Sequence, residues 1–151
     1  MTEAHQSAPM LGLLLRLAGQ RWATELDEAF REAGFEDVSS AHAIVMPFVP
    51  AGGASIGELA RRAKVRRQTM AQSVERLVAS GYLQRTPDPD DARATVVKLL
   101  PKGDALRRTA VSAGRRVEAA WARELGRAEV EHVRAALLAL IGATGHGDER
   151  T

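Results

Sequence analysis

In the segment 55–100 the spacing of the apolar residues changes from a helical period to a strand period, and this change restricts the fold more than any other feature. Ser55 and Glu58 fit a capping box, in which each side chain binds an unpaired backbone N–H of the first helical turn. The box predicts a short helix over 56–63, and after a brief connection the pattern predicts a second helix over 67–80. Two short helices joined this tightly are typical of a helix-turn-helix.

The residues that follow the second helix predict a β-hairpin. Residues 82–86 have the composition of a strand, and the β-branched run over 94–100 predicts the strand that returns. The proline- and aspartate-rich residues 87–91 between them predict a turn or loop. A hairpin beside a helix-turn-helix is called a wing, so segment 55–100 is predicted to be a winged helix-turn-helix, the DNA-binding core of the chain.

Amphipathic helices are predicted on both sides of this core. Apolar residues at helical spacing predict helices over 8–33, 102–126 and 128–141. A short helix is also predicted over 41–49, capped by Ser39 or Ser40, with Pro47 ending or kinking it. We expect a fold that is mainly α with a small β-hairpin wing, in one domain over 8–143. The helices of 8–33 and 102–142 present more apolar face than a small winged domain can cover, which favours a role in dimerisation. The polar residues 144–151 are expected to form a flexible tail.

Positive charge is concentrated in one block of the chain. The net charge at pH 7 is only +2, yet the residues from Arg61 to Arg76 include six basic side chains against the single acid Glu75. A basic run on a helix is often only a solvated face, but this one coincides with the capping box, the tight turn and the predicted wing. A nearly neutral chain with one compact basic block indicates a polyanion partner.

The first turns of the second helix carry side chains that can hydrogen-bond to base edges. Arginine and glutamine make bidentate contacts with guanine and adenine, and a threonine methyl can touch that of thymine. Recognition helices present their N-terminal residues to the major groove, so we expect these positions to be exposed. The candidate DNA-contacting residues are Ser55, Arg66, Arg67, Gln68, Thr69, Gln72, Ser73 and Arg76, with Arg93 of the hairpin in the minor groove.

Several short motifs resemble those of a known family. The chain is similar to the MarR family of bacterial transcriptional regulators in the motifs Ser55-Ile-Gly-Glu-Leu-Ala60, Arg67-Gln-Thr-Met70, Arg76-Leu77, Gly81-Tyr-Leu-Gln-Arg85, Asp91-Ala-Arg93 and Leu99-Leu-Pro-Lys-Gly103. The specific part is the arginine four residues after Gly81 followed by the Asp-x-Arg of the wing. One departure is Pro101, which stands where the family usually has a capping threonine; proline suits the first helical position because its φ is already helical.

The resemblance implies a homodimer on double-stranded DNA, each winged domain binding one half of a pseudo-palindrome. It implies that Asp91 braces Arg85 in the wing, which leaves Arg93 for the minor groove. It also implies that the first helix and the last two helices interlock between subunits. The candidate interface residues are Leu11, Leu14, Leu15, Val117, Val133, Leu137 and Leu140.

A small-molecule effector is a further implication of the resemblance. In this family effectors often lie between the dimer helices and the winged domain. The residues that could line such a pocket here, each with a competing core or interface role, are Trp22, His42, Met46 and Trp121. No cofactor or metal is expected, because the chain has no cysteine and its histidines, His5, His42, His132 and His146, show no ligand spacing.

We therefore expect a sequence-specific transcriptional regulator, a repressor released by an effector, and no enzyme, since no catalytic arrangement of Ser, His and Asp or of paired carboxylates stands out. Two alternatives stay open: a winged domain for protein–protein contact, which the basic second helix disfavours, and the dimerisation module of an enzyme, which the length of the chain disfavours. We expect a cytoplasmic protein, because no signal peptide is recognisable and no apolar run approaches the ~20 residues of a membrane span.

Overall fold

The computed structural model describes residues 8–143, which are mostly helical. The elements in chain order are α1 Leu11–Glu32, α2 Ser40–Ala43, a 3-10 turn Met46–Phe48, α3 Ile56–Ala63, α4 Arg67–Ala79, β1 Leu83–Pro87, β2 Thr95–Leu99, α5 Pro101–Leu125 and α6 Arg127–Ala143. The prediction of a mainly α fold with a β-hairpin wing is confirmed. The tail expected over 144–151, like His5 and His146, lies outside the described residues.

Within this structure the chain divides into two compact units. The first ends at Ala113 and contains the helix-turn-helix and the hairpin, and the second begins at Gly114 and contains the C-terminal part of α5 with α6. In the second unit Arg134 of α6 donates to Glu118 of α5 at 2.7 Å. No helix of the described segment is both long and apolar enough to span a bilayer.

The core of the first unit is built from the inward faces of α1, the segment around the 3-10 turn, α3, α4, the hairpin and the start of α5. Its largest fully buried side chains are Phe30, Val45, Met46, Val49, Leu59, Met70, Val74, Leu77, Tyr82, Leu83, Val97 and Leu106. These residues lie at helical spacing within each helix, as an amphipathic pattern requires. The core therefore fixes which face of α4 remains outside.

The short helix predicted over 41–49, with Pro47 ending or kinking it, is interrupted in the structure and ends earlier than predicted. The structure has a four-residue α2 and a separate 3-10 turn, because Pro47 lacks the backbone N–H that a continuing helix needs. The start of α2 is held from α1, where Asp27 Oδ1 accepts the backbone N–H of Ser40 at 2.5 Å. This contact ties the short segment after α1 back onto α1.

Glycine ends α4 as the sequence predicts. Gly81 has a φ of +77°, a left-handed conformation that glycine adopts without steric cost. The backbone N–H of Gly81 donates to Val78 at 3.1 Å and that of Tyr82 donates to Leu77 at 2.8 Å. These two bonds form a Schellman motif, which stops the helix and turns the chain into β1.

The hairpin is antiparallel, with Leu83 opposite Leu99 at one end and Pro87 opposite Thr95 at the other. A single bridge from Ala54 to Val97 extends it on the other side of β2. At its base α5 begins with Pro101 at the first helical position. The helix comes so close to the strand that a Cβ on Gly103 would lie 2.1 Å from the Tyr82 carbonyl oxygen.

Candidate nucleic-acid interface

The first helix of the helix-turn-helix is capped by Ser55. Its Oγ accepts the backbone N–H of Glu58 at 3.2 Å, which satisfies one unpaired donor of the first turn. The carboxylate of Glu58 accepts hydrogen bonds from Arg61 and Arg62 instead of closing the capping box. These two guanidinium groups hold the pKa of the Glu58 carboxyl below its ordinary value. The basic charge at the end of α3 is therefore partly neutralised.

Lys64 makes the turn between α3 and α4. Its backbone is left-handed, with φ 53° and ψ 41°. The N–H of Lys64 donates to Arg61 at 3.3 Å and that of Val65 to Ala60 at 3.1 Å, which is again a Schellman motif. Because of this sharp turn only three residues lie between the end of α3 and the start of α4.

One face of α4 is free of the core. Met70, Val74 and Leu77 are buried on the inner face. The residues that remain exposed on the start and outer face of this helix are Arg66, Arg67, Gln68, Thr69, Gln72 and Arg76. The structure thus brings together, on one exposed surface, six of the side chains that were predicted to contact DNA.

Ser73 does not belong to that surface. Only 6% of this residue is accessible, against the exposure that the sequence analysis expected. Positions three and four apart share a helix face, so Ser73 follows the buried Met70 and precedes the buried Leu77. We therefore remove Ser73 from the candidate DNA-contacting residues.

The side chain of Arg67 reaches back over the start of α3. Its Nη1 would lie 3.7 Å from a Cβ atom placed on Gly57. Ser55, which caps α3, is exposed at the same end of the helix. The guanidinium of Arg67 is therefore next to a helix N-terminus, where the backbone dipoles favour an anion.

The wing is organised differently from the expected Asp91–Arg85 pair. The guanidinium of Arg85 on β1 lies 3.7 Å from the carboxylate of Glu75 on α4, so within the described residues Arg85 forms an ion pair with Glu75. Asp91 instead accepts the backbone N–H of Arg93 at 3.0 Å, so it shapes the tip of the hairpin. The geometric reason is that Arg85 lies within the paired strand, close to α4, whereas Asp91 lies in the loop beyond it. The side chain of Arg93 is exposed.

A polar cluster at the other end of α4 escaped the sequence analysis. The Tyr82 hydroxyl donates to Asp37, and the Lys102 ammonium donates to Asp37 at 2.9 Å and to the Ser80 carbonyl at 3.0 Å. The ammonium also lies 4.1 Å from the centre of the Tyr82 ring. The three side chains come from three distant parts of the chain, so no local pattern could have indicated them.

Titration in this cluster follows from its hydrogen bonds. The Tyr82 hydroxyl and then the Lys102 ammonium hold the pKa of the Asp37 carboxyl below its ordinary value of 3.8. Burial, together with the neighbouring carboxylate, raises the pKa of the Tyr82 hydroxyl. The Asp37 carboxylate is therefore ionised at neutral pH and fixes the C-terminal end of α4 through Lys102.

The first unit also contains an apolar cleft of about 650 Å³. It is lined from α1, α2, the 3-10 turn and α5 by Trp22, Ala23, Leu26, Phe30, Ser40, Ala41, Ala43, Ile44, Met46, Pro47, Arg107, Ala110 and Val111. Arg107 is the charged residue of this lining, and its guanidinium donates to Asp104 at 2.6 Å. Of the residues expected in a pocket, Trp22 and Met46 line the cleft, whereas His42 and Trp121 do not.

His42 has a different environment, because its Nδ1 lies 2.8 Å from the Ser39 hydroxyl. Within residues 8–143 no group of three His, Asp or Glu side chains is arranged to hold a metal ion.

Exposed apolar residues are concentrated on two helices. In α1 they include Leu11, Leu14 and Leu15, and in α6 they include Val133, Leu137 and Leu140. Val117, also expected at an interface, is only 6% accessible in the single chain and has little surface to offer to a second copy.

The winged part of the chain matches a family model. Residues 37–94 match the model described as the MarR family, which spans α2 to the end of the hairpin loop. No curated protein matches the chain significantly.

Solved structures are similar over almost the whole chain. A probable transcriptional regulator from Pseudomonas aeruginosa is 28% identical, with a TM-score of 0.71 over 87% of this chain and 96% of that one. A mutant MarR from E. coli complexed with operator DNA is 23% identical, with a TM-score of 0.74 over 92% of this chain and 99% of that one. CouR from Rhodococcus jostii RHA1, bound to p-coumaroyl-CoA, is 20% identical, with a TM-score of 0.70 over 89% of this chain and 94% of that one.

Proposed function

We propose that this chain, whose residues 37–94 match the MarR family model, represses transcription as a homodimer bound to a pseudo-palindromic operator. A small effector releases it from the DNA. It acts in the cytoplasm and catalyses no reaction.

The exposed face of α4 carries this proposal. Arg67, Gln68, Thr69 and Gln72 point away from the core, and each can hydrogen-bond to a base edge in the major groove. Arg93 is exposed at the tip of the hairpin, where a wing reaches the minor groove. The mutant E. coli MarR bound to operator DNA has the same fold, which supports this use of the surface.

The exposed leucines of α1 and α6 support a dimer. A soluble protein rarely leaves several large apolar side chains on one helix in contact with water. A two-fold dimer would bury these faces and place two recognition helices on one side of the DNA. Half-sites in such complexes are about one helical turn, ~34 Å, apart, which is why we expect an inverted repeat.

The apolar cleft is the candidate effector site. Its volume of about 650 Å³ falls within the range of small-molecule pockets, and most of its lining is apolar. Arg107 is the charged residue of the lining and can donate hydrogen bonds to a ligand. The expected ligand is therefore mostly apolar and carries a hydrogen-bond acceptor, such as a carboxylate, near Arg107. CouR, which binds p-coumaroyl-CoA, has a similar fold. A ligand that binds better to a dimer conformation whose two recognition helices do not match the half-site spacing of the operator would lower the affinity for DNA.

The experiment that tests this function is selection of bound duplexes from a random-sequence pool at two salt concentrations. We expect an enriched inverted repeat with half-sites about one turn apart, and an affinity that falls steeply with salt. A pool without an enriched sequence, together with binding that vanishes at moderate salt, would contradict the proposal. The enriched duplex then serves as the probe in a screen for effectors that release it.

A further inference from the structure

The turn between α3 and α4 contains a residue whose backbone is unusual for its side chain. Among residues 8–143, Lys64 is the non-glycine residue with a positive φ, 53°. In the left-handed region the Cβ of any L-residue crowds the following carbonyl oxygen. Glycine avoids this contact, and the turn of a helix-turn-helix often contains glycine. A lysine at this position therefore has a steric cost that glycine would not have.

The backbone of the turn does not require a lysine. Both hydrogen bonds that close it, from Lys64 to Arg61 and from Val65 to Ala60, are made by main-chain N–H groups. Glycine would make the same two bonds with less strain. The turn itself therefore gives no reason for a lysine at position 64.

Among residues 8–143 the side chain of Lys64 has no hydrogen-bonding or ionic partner. Lys64 is exposed. The acid of α3, Glu58, is already bound to Arg61 and Arg62. Arg66 and Arg67 follow directly at the start of α4 and are exposed as well. With Arg66 and Arg67, Lys64 is thus the third exposed cation at the N-terminal end of α4.

We propose that Lys64 binds a phosphate of the DNA backbone beside the half-site that α4 enters. This contact explains why a lysine occupies a left-handed position where glycine would be less strained. The inference rests on the proposed DNA binding and adds a residue to it. A compact ammonium binds phosphate as a point charge, so Lys64 adds affinity without reading sequence. Its removal lowers binding to every duplex by the same factor.

The test compares three full-length variants, Lys64→Gly, Lys64→Asn and Lys64→Arg. Each is measured by thermal unfolding and by titration with two duplexes of equal length, the one enriched by selection and a scrambled one. Lys64→Gly is expected to raise the Tm by about 2–4 °C because it relieves the strained backbone. The same variant is expected to bind both duplexes roughly tenfold more weakly, with a salt slope reduced by about 1 for each bound half-site. Asparagine tolerates the left-handed region without the charge, so Lys64→Asn should show the same loss of affinity.

Lys64→Arg is the matched control, because it keeps both the charge and the backbone cost. We expect its Tm and its affinities to equal those of the unmodified chain. Unchanged binding by Lys64→Gly and Lys64→Asn would overturn the inference, and so would a loss confined to the enriched duplex, which would indicate base contact. If the unmodified chain bound both duplexes equally, the proposed function would be contradicted instead. The Lys64 inference would still be tested in that case, because the scrambled duplex measures phosphate contact alone.

Discussion

Gly103 is the position where a single methyl group should most disturb the winged domain. A Cβ there would lie 2.1 Å from the Tyr82 carbonyl oxygen and 3.1 Å from Cδ2 of Leu99. Ordinary contacts begin above 3 Å, so α5 or the strand must move by about 1 Å. The Tyr82 carbonyl also accepts the backbone N–H of Leu100 at 3.0 Å, and this bond would weaken.

The magnitude follows from opposing contributions. Overpacking costs roughly 1–3 kcal/mol and the weakened hydrogen bond about 1 kcal/mol, whereas alanine is favoured over glycine in a helix by about 1 kcal/mol. We therefore expect Gly103→Ala to lower the free energy of unfolding by about 1–3 kcal/mol. At roughly 2–4 °C for each kcal/mol, the Tm should fall by about 2–12 °C.

The assay is thermal unfolding followed by circular dichroism, with Gly19→Ala as the matched control. Gly19 is in α1, and a Cβ there would meet nothing within 4 Å in the single chain. The control should therefore keep or raise the Tm, because alanine favours the helix. A Gly103→Ala variant as stable as the unmodified chain would refute the close approach of α5 to Tyr82.

Other perturbations test the polar cluster, the DNA contacts and the dimer. Asp37→Asn should lower stability by about 1 kcal/mol at pH 7 through weaker bonds to Tyr82 and its neighbours. Since the pKa of Asp37 is lowered in the fold, this contribution exists above pH 3.8 and is lost as the pH falls through the lowered pKa. Urea unfolding at pH 7 and at pH 2 should therefore show a difference that shrinks with acid; a constant difference would contradict the assignment. Arg67→Ala should relax base preference and cost about 1–3 kcal/mol of binding, whereas Arg93→Ala should weaken binding with little change in major-groove preference; competition with single-base variants of the enriched duplex separates the two. Leu137→Glu should yield a folded monomer in sedimentation, and a persistent dimer would exclude α6 from the interface.

The sequence predicted the elements of the fold well because most are signalled within a few residues. The cap at Ser55 and the left-handed glycine at position 81 mark their helix ends directly, and both lie where the pattern placed them. The helix over 41–49 was predicted with an end or a kink at Pro47, but α2 already ends at Ala43 and Pro47 lies in a separate 3-10 turn. Periodicity describes side-chain faces, whereas a helix also needs an unbroken series of N–H donors.

The candidate functional residues show the same difference between features that follow from the local sequence and features that depend on distant contacts. Exposure of Gln68 or Gln72 follows from the helix period, so the exposed face of α4 was predictable apart from Ser73 at its edge. The contact between Lys102 and Asp37 joins residues that are 65 positions apart, and a period of 3.6 carries no information about such a pair. Because Lys102 also binds the Ser80 carbonyl, this distant pair fixes the end of the helix whose face the sequence predicts. The exposed polar side chains of α4 are thus local in the sequence, whereas the orientation of the helix that carries them depends on contacts that only the folded chain creates.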